Sequence, residues 1–261
     1  LERHQIGFKP YLLVLSLVLF LVQPLQAAEW GTLTGQFLYT GTPSQPVKLD
    51  ISRDQEICGK FSDQIVDESL VVGKNGGLKN VFVYLRESKL NASRIHPSYQ
   101  ELPAEVTIQN KGCIFQPHVA GLWVKKQKLQ AVNRDLCAHG FQVKAYRNNS
   151  LNQLLPPEAK LQHQFEYGEK LPLRMSCSIH PWQEGWLVAL NHPYFSTSNE
   201  TGQFKIENLP VGNWEFQLWH EKAGYLVAKD EWKRGRIKLK ITAGNNDLGV
   251  IKVTPSMFAG E

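Results

Sequence analysis

The sequence predicts an all-β fold. Short segments rich in β-branched and aromatic residues recur along the chain, several alternating apolar and polar residues with period two. Turn signals separate them at intervals of roughly ten residues, and no stretch offers a convincing amphipathic helix. At 261 residues the chain can hold one large domain or two modest ones, and 42% hydrophobic against 20% charged residues argues against disorder. The formal charge of +5 is scattered among acidic residues, with no stripe of Lys and Arg, so no nucleic-acid partner is expected.

The first 28 residues stand apart. Arg3 and Lys9 precede an apolar run from Tyr11 to Val22, which small residues follow up to Ala27 and Ala28. A basic flank, a run of this length and small residues at its end describe a secretory signal peptide. The run falls short of the about 20 residues of a comfortable membrane span, so a membrane is expected only if the segment is retained as an anchor. The folded part is then periplasmic or secreted, in an oxidising compartment.

The strands follow in order. Trp30 to Tyr39 opens the folded part, and Asn80 to Leu85 follows the turn at Lys74-Asn-Gly-Gly77. Ala104 to Ile108 and Leu122 to Val124 are short β-branched or aromatic runs. Leu129 to Val143 reads as a strand, a polar corner and a second strand, with His139 at the corner. Trp186 to Leu190 follows the loop Cys177-Ser-Ile-His180-Pro-Trp-Gln183. Gln203 to Ile206 and Trp214 to Trp219 flank Leu209-Pro-Val-Gly212, and Ile237 to Ile241 and Val250 to Val253 flank Ala243-Gly-Asn-Asn246.

The chemistry concentrates in the Cys177 loop. A thiol, an imidazole and an amide stand there at Cys177, His180 and Gln183, each three positions after the last. A second imidazole at His139 completes two imidazoles, one thiolate and a weak fourth donor, the trigonal set of an electron-transfer copper site. Zinc takes the same thiolate and imidazoles but prefers a tetrahedral set of stronger donors. His118, His163, His192 and His220 are more ordinary residues than ligands, with His118 the one that could mark a second metal position. No Ser-His-Asp order, no paired carboxylates in an evident cleft and no phosphate-cradling glycine loop appears, so an enzyme is not expected.

Residues from about Glu105 to Leu190 resemble a cupredoxin, most closely the amicyanin type, in which a Cys-x-x-His-x-x-Met loop opens the last strand. The resemblance implies a Greek-key sandwich at residues 101–190 and copper held by His139, Cys177 and His180, with Gln183 in the axial place. Gly140 stands where that family usually has Asn, and Gln183 replaces the axial Met, as in stellacyanin-like members. The stretch from His192 to Leu218 resembles the carboxypeptidase-regulatory-like, or transthyretin-like, sandwich, to which Gly31-Thr-Leu-Thr-Gly35 and Leu78 to Tyr84 also fit. A cupredoxin inserted in a transthyretin-like sandwich of residues 29–100 and 191–261 is therefore expected. That arrangement is similar to exported methylamine-utilisation-like proteins.

With Cys177 assigned to metal, Cys58, Cys113 and Cys137 remain. An oxidising compartment should close one pair, and Cys58 with Cys113 is the choice, because bridging Cys137 would distort the corner at His139. The expected function is one-electron transfer, with His180 as the exit and a redox partner docking near Pro181 and Trp182. The alternative is a copper-carrying or structural module that holds metal without turnover.

Overall fold

The computed structural model describes residues 1–2 and 30–259. The apolar run from Tyr11 to Val22 and the cleavage region at Ala27 and Ala28 lie outside the described residues. Among the described residues no helix is long and apolar enough to cross a membrane.

The chain is a nearly all-β protein. Strands β1 (Trp30–Tyr39) and β2 (Phe82–Leu85) come first. They precede β3 (Glu105–Asn110), β4 (Phe115–Gln116), β5 (Val119–Trp123), β6 (Lys128–Asn133), β7 (His139–Val143), β8 (Leu151–Leu155), β9 (Lys160–His163), β10 (Leu173–Cys177) and β11 (Glu184–Leu190). Strands β12 (Phe195–Thr197), β13 (Gln203–Pro210), β14 (Gly212–His220), β15 (Gly224–Tyr225), β16 (Arg236–Ile241) and β17 (Gly244–Val253) complete the set.

Two sheets use only the middle of the chain. One has the order β4-β3-β6-β9 and the other β5-β11-β10-β7-β8. The chain passes from one to the other at β4 to β5, β5 to β6, β6 to β7, β8 to β9 and β9 to β10, which makes a sandwich with crossover connections. Its core holds Ile108, Phe115, Leu122, Phe141, Phe165 and Met175, all at most 1% exposed. The other two sheets, β13-β1-β17 and β12-β2-β14-β15 with β16 beside β14, come from the two flanks. In β1 the side chains of Leu33 and Phe37 are buried while the residues between them are part-exposed except Gly35, the alternation expected of a sheet with one covered face.

The two sandwiches meet through Phe82, Tyr84, Val119, Val188, Leu190 and Trp219. Gly121 lets them approach, since a Cβ there would lie 2.2 Å from the Phe195 ring. The N-terminal flank is itself divided. Residues around Leu49, Ile51, Ile57, Phe61 and Ile65 leave the outer sheets and pack with Cys113, Ile114, Cys137 and Trp182 at one end of the middle sandwich. This strap carries the short helix α1 (Gln55–Cys58) and is tied down by a disulfide between Cys58 and Cys113.

Candidate metal centre

The strap covers the end of the sandwich at which β7, β10 and β11 converge. Strands β7 and β10 pair antiparallel with Cys177 opposite Phe141, so the last residue of β10 lies beside the start of β7, where His139 stands. Strands β10 and β11 pair with Ser176 opposite Glu184. The stretch from Cys177 to Gln183 is thus the hairpin connection, closed by Cys177 N–H donating to Gln183 O at 3.2 Å and Gln183 N–H to His180 O at 3.0 Å. A short loop tied at its neck turns the three-residue spacing of the sequence into convergence.

Gly140 makes the approach of loop and strand possible. Its N–H donates to Cys177 Sγ at 3.3 Å, and Ser178 N–H donates to its carbonyl at 2.9 Å. A Cβ at this position would lie 1.9 Å from Ser178 Oγ and 3.2 Å from Ser178 N. A side chain here would require the Ser178 hydroxyl to turn away and would still leave a tight contact with the Ser178 backbone.

Three donor atoms meet at this point. His139 Nδ1 and His180 Nδ1 are 3.0 Å apart, and Cys177 Sγ is 3.5 Å from the His180 nitrogen and 3.9 Å from that of His139. The point equidistant from all three lies about 2.0 Å from each, the length of a bond from an imidazole nitrogen to a transition-metal ion and a little short of a thiolate bond. Gln183 Oε1 is 3.1 Å from His139 Nδ1, and its amide nitrogen is buried without a partner in a side chain only 1% exposed. The donor set fits a soft or borderline ion in a trigonal arrangement with an amide oxygen beside it.

Each imidazole is fixed from its far side by a carboxylate. His139 Nε2 is 3.0 Å from Asp135 Oδ2, and His180 Nε2 is 2.8 Å from Asp54 Oδ2. A carboxylate at each Nε2 turns Nδ1 toward the shared point, where a metal ion would displace any proton that Nδ1 carries, the arrangement by which outer carboxylates orient metal-binding imidazoles. Asp135 also accepts the backbone N–H groups of Gly112 and Cys113, at 2.7 and 3.0 Å, which links the disulfide loop to the His139 ring. Asp54 precedes α1 in the left-handed region, φ 46°, and gives its helix no side-chain cap. Its carboxylate goes to His180 instead.

The electrostatics favour a thiolate. Burial opposes ionisation of Cys177, but hydrogen bonds from the His139 and His180 side chains and from the backbone N–H groups of His180 and Ile179 outweigh it and hold the thiol down at about 5. Burial likewise works against the charged His139, and Asp135 with the Cys177 anion overcomes it, raising the imidazole to about 9. Cys137 is different: burial, then Asp54 and Asp135, push it up to about 11, so this buried thiol is neutral.

Sequence reasoning missed Asp135, Asp54 and the covering of the site. Asp135 precedes His139 by one helical-turn spacing, but in a strand corner that spacing carries no signal. Asp54 is 126 positions from His180 and arrives only through the strap. The strap also changes the rim. His180, expected as an exposed exit, is 0% exposed, and Trp182 is buried because its indole N–H donates to Cys113 O at 3.0 Å beneath the strap. Pro181 is exposed.

The remaining histidines lie apart from this cluster. His118 is half-buried, its ring between Glu221, 2.5 Å from its Nε2, and Glu68, 3.5 Å from its Nδ1. His192 Nε2–H donates to the Leu85 carbonyl, 2.9 Å away, and burial lowers the imidazole to about 4, as it does His220. Burial also lowers His163, on β9.

No family model matches the chain, and no curated protein matches it. Among solved structures it is similar to the copper-containing nitrite reductase NirK of Thermus scotoductus SA-01, 21% identical over 34% of this chain with a TM-score of 0.29. The matched part spans 23% of the nitrite reductase chain. A Cu(I)-form amicyanin variant is 14% identical over 41% of this chain and 97% of its own, with a TM-score of 0.30. A purple cupredoxin from Nitrosopumilus maritimus is 20% identical over 33% of this chain and 99% of its own, with a TM-score of 0.26.

Proposed function

We propose that this chain is an exported copper protein of the cupredoxin type that passes single electrons, with His139, Cys177 and His180 as ligands and Gln183 in the axial place. The observation that carries the reading is the convergence of two Nδ1 atoms and one Sγ around a point about 2.0 Å from each, with both imidazoles oriented by carboxylates. Copper, when bound, supplies the one-electron Cu(I)/Cu(II) couple. The protein supplies a fixed cage: strand ends hold His139 and Cys177, the tied hairpin holds His180 and Gln183, and the far-side carboxylates keep both rings in place. The Cys177 thiolate offsets cation charge inside the fold. Two N–H groups, of Gly140 at 3.3 Å and His180 at 3.4 Å, point at its sulfur and tune it, as hydrogen bonding around the thiolate does in copper sites.

On this reading residues 101–190 are the cupredoxin unit, and the flanks form a transthyretin-like sandwich of methylamine-utilisation-like proteins, to which no chemistry is assigned. A redox partner docks near Pro181 and Trp182. The Trp182 ring lies 5.0 Å from that of His180, so electrons leave through the indole toward the exposed Pro181 rather than from the imidazole edge. A second reading, a copper-carrying module without turnover, draws on the burial of His180 under Asp54. Voltammetry of the copper-loaded chain separates them. A reversible one-electron wave is expected, and tight copper binding without such a wave selects the carrying module.

A further inference from the structure

One cysteine beside the site described above is not among its proposed ligands, although its sulfur lies 3.7 Å from His139 Nε2. Cys137 is a free thiol, 6% exposed, and its Sγ lies 3.9 Å from Cys58 Sγ, inside the strap interface. The sulfurs of Cys58, Cys113 and Cys137 all lie within 4.8 Å of one another. The spacing from Cys137 to Cys58 matches the edge of a trigonal thiolate site, about 4.0 Å for metal–sulfur bonds of about 2.3 Å. Ile57, Phe61, Ile114 and Trp182 pack around the cluster on one side, and on the other His139 Nε2 lies 3.7 Å from Cys137 Sγ and His180 Nε2 4.0 Å from Cys58 Sγ, so the three sulfurs adjoin the first site from behind its imidazoles.

We propose that reduction of the Cys58–Cys113 disulfide by a dithiol turns this cluster into a second metal site, a three-thiolate site for Cu(I). In the reduction the Cys58–Cys113 bond breaks and the dithiol sulfurs bond to each other. Two electrons and two protons pass to Cys58 and Cys113. Cys113 then separates from Cys58 to thiolate spacing while Cys137 is already in place, and Cu(I) displaces the thiol protons to solvent. Soft thiolates select Cu(I) over harder divalent ions. The same reduction unties the strap that carries Asp54, so the second site opens when the cover over His180 is released.

The test is anaerobic Cu(I) titration of the full chain against a Cu(I) chelator, before and after disulfide reduction and removal of the reductant. Wild type is expected to rise from one tightly bound equivalent to two on reduction. Cys137→Ser stays at one. Cys177→Ser, reduced, keeps the thiolate equivalent, so the outcome is independent of the ligand set proposed for the first site. Alkylation read by mass spectrometry on wild type provides a check that needs no variant: Cu(I) should protect Cys58, Cys113 and Cys137 together. Reduced wild type that binds no more Cu(I) than oxidised protein, or three cysteines alkylated at the same rate with and without Cu(I), overturns the proposal.

Discussion

Replacing Asp54 by Asn isolates the part of the proposed copper site that comes from outside the sandwich. The substitution keeps a hydrogen-bond acceptor 2.8 Å from His180 Nε2 and removes only the charge. Loss of a carboxylate behind a ligand imidazole typically costs 10–100-fold in metal affinity, and the Asp54 side chain is 39% exposed, so solvent screens it. The expected loss is about tenfold, or about 1.4 kcal/mol. The carboxylate favours Cu(II) more than Cu(I), so the potential should rise, by about 59 mV for each tenfold by which Cu(II) is weakened more than Cu(I). Glu56→Gln, two residues along the same strap and exposed, controls for general charge. Competition with a Cu(II) chelator and voltammetry read both quantities. Equal changes in the two variants, or none in Asp54→Asn, would refute the assignment of Asp54 as the group that orients His180.

Three further outcomes follow from the same geometry. Gln183→Met should raise the potential, on the order of 100 mV, because a thioether favours Cu(II) less than an amide oxygen does; an unchanged potential would place Gln183 off the metal. Cys58→Ser with Cys113→Ser opens a loop of 55 residues and should cost about 4 kcal/mol in the chain-entropy account, read by urea unfolding, with faster copper exchange as the strap loosens. His118 is raised to about 9: burial works against its charge, and Glu221 and Glu68 overcome it. Its contribution, on the order of 3 kcal/mol, is therefore full below pH 6.5 and is lost as pH rises through 9. The difference in unfolding free energy between wild type and His118→Gln should shrink across that window, and parallel curves would exclude the ion triad as its source.

Much of the candidate donor cluster was legible because its donors are local. Cys177, His180 and Gln183 share one hairpin connection, and His139 stands at a strand corner that pairs with it. The disulfide partners could be chosen by excluding a cysteine too near His139, and Cys58 and Cys113 are joined. What sequence did not carry is long-range. Strands β8 and β9 escaped notice because β8 has three exposed residues between its terminal leucines and the polar β9 alternates only between exposed and part-buried positions. Trp182 reads as a rim residue in a loop and is buried only because residues from the N-terminal flank fold over it. The covering strap depends on a disulfide and an apolar cluster assembled from parts of the chain with no shared periodicity, and the same strap decides how His180 meets a partner.

The most direct measurement is the visible and electron paramagnetic resonance spectrum of the purified chain loaded with Cu(II), beside Cys177→Ser. An intense thiolate-to-Cu(II) charge-transfer band in wild type, absent from the variant, is the predicted result. Wild type that takes up copper with no such band, or a band that survives in Cys177→Ser, would contradict the ligand set of His139, Cys177 and His180.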